Sequence, residues 1–247
     1  MIIVLSGEGP SDLGACTMGT AWCTDGDYRR GPMAVLVDDL FEGILGYRPI
    51  QLTPNACRYY TKRALVDRAK ALRAVRPMAL AGKNKKQETT YFRINALMLA
   101  EIALELEEQE GDSSIAILFR DTDGVNSSPN TLWSDKVRSM MTGFEGAGYA
   151  SGVPMVPRPK SEAWLLCAAK DGAYQACAAL EDLPGNDDAP NSAKDQLFTA
   201  RNGQDSTEEL REWLEGSPFD HGAVAAQMPS YRAFHDRLVA VIESCRE

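Results

Sequence analysis

The sequence predicts an α/β fold, a mostly parallel sheet flanked by helices with a C-terminal helical extension. Three observations predict it. Ile115 to Phe119 is apolar without alternation, the pattern of a strand buried on both faces at the centre of a parallel sheet. Ile2 to Leu5 repeats that pattern at the start of the chain. Between and after these runs, apolar residues recur at helical spacing, and no strand pattern follows about residue 157. At 247 residues the chain can form one domain with an appendage or two small domains. The change in character places the division at 1–172 and 173–247.

Taken in order, Ile2 to Leu5 is a short strand followed by Ser6-Gly7-Glu8-Gly9-Pro10-Ser11-Asp12. Glycine on both sides of Glu8 lets the backbone turn sharply and projects a carboxylate from a strand end. Residues 14 to 32 carry no clear period and read as loop. From Met33 a helix is expected, with Leu36, Leu40 and Ile44 on one stripe and Gly46 placed to end it. Arg48 to Thr53 reads as a second strand. A basic helix follows from about Cys57 to Val75, then a basic loop at Gly82 to Lys86. Tyr91 to about Glu110 is again helical and leads into the central strand.

Beyond that strand, Asn130 is placed to cap a helix bearing Trp133, Val137, Met140, Met141 and Phe144. Ser151 to Val156 is the fourth strand. Ser161 would cap a short helix through about Ala169, with Glu162 in its first turn, where a carboxylate also suits the helix dipole. Tyr174 to Leu183 reads helical, and Leu183 to Ser192 is a loop. Ser206 to Glu209 is a capping box. Tyr231, Phe234, Leu238, Val241, Ile242 and Cys245 form the stripe of a last helix that covers the sheet or joins a small bundle beside it.

Composition excludes several classes of function. With 44% hydrophobic and 25% charged residues, and no run near the roughly 18 apolar residues of a membrane span, the expectation is a soluble chain without a membrane partner. Met1 leads straight into a strand with no basic, apolar leader, so the expected location is cytoplasmic. Cysteines 16, 23, 57, 167, 177 and 245 form no Cys-x-x-Cys pair and are expected as reduced thiols. Only His221 and His235 are available, and there is no Gly-x-Ser-x-Gly, so zinc and Ser-His-Asp chemistry have little support.

Carboxylates remain. Asp121 and Asp123 follow the central strand at its carboxyl end, where open α/β sheets bind ligands. An oxygen-only Asp-x-Asp pair suits Mg²⁺ or Mn²⁺ rather than zinc, although Asp and Gly are also ordinary turn residues. If the first and central strands are parallel neighbours, Glu8 meets them at one sheet edge, and Lys160 and Glu162 follow another strand end on the same side.

The net charge of −9 is uneven. Arg58 to Arg93 holds eleven bases and two acids, a local +9, leaving fifteen bases against thirty-three acids, or −18, elsewhere. Lys83, Lys85, Lys86 and Arg93, with the basic helix, are the candidates for a track along nucleic-acid phosphates. The plainer alternative is a solvated helix face with a loop.

The order strand-Glu, helix, strand, helices, strand-Asp-x-Asp, helix, strand resembles the Toprim fold of type IA topoisomerases, bacterial primases and nucleases of the OLD (overcoming lysogenisation defect) type. The resemblance covers roughly residues 1 to 170. The family's Glu after the first strand and its Asp-x-Asp match Glu8 and Asp121/Asp123, so Asp121 and Asp123 are expected to hold the metal and Glu8 to bind it directly or through water and to act as general base. Arg158-Pro-Lys-Ser-Glu-Ala-Trp164 is similar to small Toprim-like proteins related to the OLD nucleases, which adds Lys160 and Glu162 to the site. The resemblance implies a Mg²⁺- or Mn²⁺-dependent nuclease acting on DNA in preference to RNA, in phage defence or a toxin-like system. Glu8 lies about twice as far from the Asp pair as the family pattern has it, so residues 55–90 read as a basic insertion. No tyrosine-bearing cleavage domain, zinc ribbon or P-loop is present, so any ATPase or defence-system subunit would be a separate chain, and a homo-oligomer is a further partner expectation.

A rival resemblance is to phosphatases of the haloacid dehalogenase class, with Asp121 as a covalent nucleophile and Lys160 and Gly185-Asn-Asp-Asp188 imitating later motifs. Against it, that motif normally lies near the N-terminus, Asp187 and Asp188 follow no apolar strand, and Glu8 is left unexplained. The non-enzyme alternative is an inactive Toprim-like subunit that binds without cleaving.

Overall fold

The structure is a computed structural model that describes residues 1–75, 87–123 and 131–246. Its strands are β1 (Ile2–Ser6), β2 (Gly14–Cys16), β3 (Trp22–Cys23), β4 (Tyr28–Arg30), β5 (Cys57–Tyr60), β6 (Ser114–Phe119) and β7 (Gly152–Met155). The helices before the last strand are α1 (Pro32–Leu45), α2 (Pro49–Leu52), α3 (Lys62–Val75), α4 (Gln87–Glu110) and α5 (Leu132–Gly146). Those after it are α6 (Ser161–Ala169), α7 (Ala193–Ala200), α8 (Thr207–Gly216), α9 (His221–Gln227) and α10 (Pro229–Ser244). The main sheet has the order β3-β5-β1-β6-β7, with β5, β1, β6 and β7 parallel and β3 antiparallel at one edge; β2 and β4 form a separate ribbon.

The absence of alternation in β1 and β6 reflects two cores, one on each face. Ile3, Leu5, Ile115, Ile117 and Phe119 point into a cluster with α1 and α6 to α10, whereas Ile2, Val4, Ala116 and Leu118 point into one with α3, α4 and α5. Every residue of β1 and β6 is buried. Leu197, Leu210, Leu214, Val224, Tyr231, Phe234 and Leu238 share the first cluster, so the C-terminal helices cover one face of the sheet.

Trp164 of α6 is fully buried, edge-on to Tyr231 at 4.9 Å and stacked on Phe234 at 5.7 Å. Its indole N–H donates to Ser230 Oγ (2.8 Å), and that hydroxyl donates to Glu181 (2.6 Å). A large apolar side chain with a satisfied polar tip thus fixes α6 to α10. The outer edge of β7 is covered: Arg237 donates to the Gly152 carbonyl (3.0 Å), Trp133 to that of Val156 (2.8 Å), and Pro154 offers no N–H.

Several expectations need correction. Arg48 to Thr53 is helical rather than a strand, because Pro49 favours the first helical position and the buried Asp38 carboxylate accepts the N–H groups of Ile50 (2.8 Å) and Gln51 (3.0 Å). The second parallel strand is β5, and the basic helix begins only at Lys62. Arg58 breaks the apolar run of β5, yet it is buried with its guanidinium on Glu110 (2.9 Å) and Thr24 Oγ1 (3.2 Å). Residues 14–32 contain β2, β3 and β4 rather than loop alone. Four cysteines are not reduced thiols: Cys16–Cys23 and Cys167–Cys177 are disulfides, while Cys57 and Cys245 are free. The partners lie close only in the fold, Cys16 and Cys23 on β2 and β3, Cys167 on α6 opposite a 3₁₀ turn at Cys177–Asp182. Asn130 and the basic loop Gly82 to Lys86 lie outside the described residues.

The helix at Met33 and its Gly46 terminus, the helix before β6, the strand around 152–155, the capping box and the final helix are all present as expected. Gly143 of α5 packs directly on α4, where an added Cβ would lie 2.3 Å from the Arg93 carbonyl oxygen and 2.7 Å from Ala96 Cβ. Gly143→Ala should therefore destabilise the protein by about 1–3 kcal/mol, because backbone must shift to admit the methyl. Urea unfolding checks this, and an unchanged midpoint would mean that α4 and α5 are not so closely packed.

Candidate functional site at the sheet switch point

Between β1 and β6 the strand order reverses. The chain leaves β1 for β5 on one side and returns through α3 and α4 to β6 on the other. Such a switch point opens a crevice beyond the carboxyl ends of the strands. Ser6 pairs with Leu118, so the loops carrying Glu8 and Asp121 leave the sheet side by side. The loop before α6 enters the same crevice from β7.

Ser161 joins these segments. Its backbone N–H donates to Asp121 Oδ1 (3.1 Å) and its hydroxyl to Asp12 Oδ1 (2.7 Å). Lys160, not Ser161, occupies the N-cap position of α6, and it makes no side-chain cap bond. The expected capping hydroxyl is used instead to draw two carboxylates together. Thr122 and Asp123 are laced to the neighbouring loop by N–H bonds to the Pro159 carbonyl (3.1 and 3.2 Å), and Lys136 donates to the Thr122 carbonyl (2.5 Å). Asp123 has φ +49°, a left-handed conformation that Asp tolerates better than most residues.

The electrostatics follow from this crowding. Burial raises the Asp121 pKa well above the usual carboxylate range, and repulsion from Asp12, Glu162 and Asp123 adds to it, against Lys160. Burial also raises Asp12, with Glu8 adding repulsion, while the Ser161 and Ser11 hydroxyls and Lys160 oppose the rise. Glu162 is raised by burial and by Asp12 and Asp187, with its own backbone N–H and Lys160 opposing. Lys160 is the cluster's cation: its ammonium lies 2.7 Å from Asp187 and 3.5 Å from Asp123. Burial works against that charge, but Asp187 and Asp123 outweigh it and its pKa is raised.

Glu8 stands at the near side of the cluster. It pairs with Lys62 (2.8 Å), whose ammonium also lies 5.5 Å from the Tyr91 ring centre. Glu8 and Lys62 line a cleft of about 500 Å³, walled by Tyr59, Thr61, Arg63 and the ribbon around Gly14 to Cys16. Beneath it, Arg120 is fully buried, donating to the carbonyls of Phe119 (2.6 Å) and Ser6 (3.3 Å) and to Asn95 Oδ1 (3.1 Å). It cross-ties the ends of β1 and β6. Burial lowers its pKa, and Glu8 is among the groups that oppose the fall.

Asp121, Asp123, Lys160 and Glu162 are thus brought together, and Glu8 joins them through Asp12. Asp12 and Arg120 are members that the sequence reading missed, and Asp187 entered it only in the phosphatase alternative. Asp12 hides in a Gly-Pro-Ser-Asp turn, Arg120 looks like a strand end, and Asp187 sits in a loop 27 residues beyond Lys160. Arg93 is half-buried on α4 beside α5, whereas Lys83, Lys85 and Lys86 lie outside the described residues. Much of the basic helix is internally paired: Arg68 contacts Glu101 (3.6 Å) and Glu105, and Lys70 and Arg63 contact Asp67 (3.1 and 3.5 Å).

Among the described residues, no group of three or more His, Cys, Asp or Glu side chains is arranged to hold a metal ion. The donors nevertheless fit a hard cation in kind. They are carboxylate oxygens only, and their repulsion is what a divalent charge would relieve. Comparison with protein-family models, curated proteins and solved structures finds no significant match. The Toprim resemblance therefore stands on motif order and strand ends.

The raised acids predict a pH dependence. A carboxylate whose folded pKa exceeds its unfolded value stabilises the fold below the unfolded pKa, and that stability is lost as pH rises through the folded value. Without divalent ions, stability should fall from about pH 4 upward; Asp38 and Asp39, raised to about 6 by burial, contribute near that pH. Asp121→Asn should make this fall shallower, by at most about 1.4 kcal/mol per pH unit for one proton. Unfolding midpoints from pH 5 to 8 check it, and an unchanged slope would mean that Asp121 is not buried among like charges.

Proposed function

We propose that the chain is a Toprim-type nuclease that hydrolyses phosphodiester bonds of nucleic acid, DNA in preference to RNA, with Mg²⁺ or Mn²⁺. The observation that carries this reading is the convergence of Asp12, Asp121 and Glu162 on Ser161 at the switch point, through its hydroxyl to Asp12 (2.7 Å) and Glu162 (3.3 Å) and its backbone N–H to Asp121 (3.1 Å). Asp121 and Asp123 would hold the cation, with Asp12 and Glu162 completing the oxygen set. When bound, the cation supplies Lewis-acid stabilisation of phosphate charge and a more acidic water. Ser161 orients Asp12 and Asp121. Glu8, paired with Lys62 at the mouth of the cleft, is placed to accept a proton from the attacking water. Lys160 meets negative charge developing on the phosphate.

The supporting evidence for a nucleic-acid partner is the positive excess of residues 58–93. Because Arg68 of α3 is paired with Glu101 and Glu105, and Arg63 and Lys70 with Asp67, the phosphate track is assigned to Lys83, Lys85 and Lys86. A role in phage defence or a toxin-like system, a separate ATPase subunit and self-association rest on the family resemblance alone. No helix of the described residues is long and apolar enough to cross a membrane. A cytoplasmic location belongs to the family resemblance, and the two disulfides, uncommon in a reducing compartment, count against it.

A second reading is favoured by one contact. The Lys160–Asp187 pair puts Asp121, Asp123, Lys160 and Asp187 in one cluster, as a haloacid-dehalogenase-type phosphatase would need. Against it, Asp187 follows no strand and Glu8 shares the switch point. An inactive binding subunit is the third reading.

Cleavage of plasmid, linear, single-stranded and RNA substrates should require Mn²⁺ or Mg²⁺ and fall at least about a hundredfold in Glu8→Gln and Asp121→Asn. Hydrolysis of a phosphomonoester, with Glu8→Gln silent and Asp121 phosphorylated, would establish the phosphatase instead. Binding without cleavage would establish the inactive subunit.

Reversal of Lys83, Lys85 and Lys86 to Glu should weaken nucleic-acid binding across all sequences alike. It should also flatten the salt slope by about 0.9 per lost duplex phosphate contact. Unaltered affinity and salt dependence would remove the track.

A further inference from the structure

Asp187 has no part in the nuclease chemistry above, yet it makes the shorter of the two carboxylate contacts of Lys160, the ammonium beside Asp123. Lys160 Nζ lies 2.7 Å from Asp187 Oδ1 and 3.5 Å from Asp123 Oδ1, with its side chain 18% exposed. One cation is therefore shared between a carboxylate of the Asp-x-Asp pair and a carboxylate of the loop between the 3₁₀ turn and α7. The loop is fastened in turn: Lys194 Nζ lies 3.6 Å from Asp187 Oδ2, and Ser192 both caps α7 at Asp195 N (3.2 Å) and donates to the Asp187 carbonyl (3.5 Å).

A divalent cation entering between Asp121 and Asp123 would meet this ammonium as a like charge. Of the two carboxylates that Lys160 touches, Asp123 would then be engaged by the cation, and Asp187, outside the strand-end set, would remain. We infer that Asp187 is a positioning residue that retains Lys160 beside the acids when a divalent cation displaces it from Asp123. Lys160 and the cation exchange places on Asp123 while the ammonium stays within reach of a phosphate. Without Asp187, Lys160 falls back on Asp123 and competes with the cation. This inference rests on the metal reading of the site.

Calorimetric titration of the full chain with Mn²⁺ tests it, using wild type, Asp187→Asn, Lys160→Ala and the double variant. Asp187 is partly exposed and Lys160 makes no side-chain cap bond, and urea unfolding of each variant confirms that it is folded before titration. Asp187→Asn should weaken Mn²⁺ binding about tenfold in the wild-type background and less than about twofold in the Lys160→Ala background, a coupling typical of contacting groups. Lys160→Ala alone should tighten binding. An equal fall in both backgrounds would mean that Asp187 acts only as a distant negative charge, and would overturn the inference while leaving the metal reading intact. Absence of Mn²⁺ binding in both wild type and Lys160→Ala would overturn the metal reading and the inference with it.

Discussion

The structure depends on holding like charges together at the one place where the sheet changes direction. Burial raises the pKa of Asp12, Asp121 and Glu162, and repulsion from Asp12 adds to the rise in the other two, a costly arrangement unless something fixes it. Ser161 does so directly, donating from its backbone to one acid and from its hydroxyl to another. Ser161 is in turn held because the first turn of α6 is fixed by Trp164, which Tyr231 and Phe234 enclose. The C-terminal helices thus bear on the site although none of them supplies its acids: they set the position of the helix on which the clamp sits. Arg120 plays the corresponding part from below, joining the ends of β1 and β6.

What was legible in the sequence was what depends on local pattern. Two apolar runs without alternation located β1 and β6, and Gly46 and the Ser206–Glu209 box located helix ends, because burial on two faces and capping leave marks in neighbouring residues. The acids Glu8, Asp121 and Asp123 were found because they stand just past such runs. β5 was missed because Arg58 interrupts its pattern, and the reason that Arg58 is tolerated, Glu110, is 52 residues away. Asp12, the contact of Asp187 with Lys160 and the two disulfides were missed for the same reason. Their partners are brought to them by the fold, and nothing in their own surroundings marks them.

Charge is handled unevenly in this acidic chain. Arg68 of α3 turns to Glu101 and Glu105 of α4 and binds the helix to its neighbour, while Arg63 and Lys70 pair with Asp67 of α3 itself, which leaves less of the local +9 for a polyanion. Lys62 and Lys160 are different: each is paired with an acid at the crevice, Glu8 and Asp187, where exchange of partners with an incoming ion or phosphate needs only side-chain movement. On the proposed reading, these two carboxylate–ammonium pairs would meet an anion at the edge of the site and the acids within would meet a cation.

The central claim is that the switch-point acids form a cation site. Anomalous diffraction from crystals soaked in Mn²⁺ tests it most directly. A peak about 2.1–2.3 Å from a carboxylate oxygen of Asp121, shared with at least one of Asp123, Asp12 or Glu162, is the predicted result. Mn²⁺ bound elsewhere, with the switch point empty and Ser161 still joining Asp12 and Asp121, would contradict it.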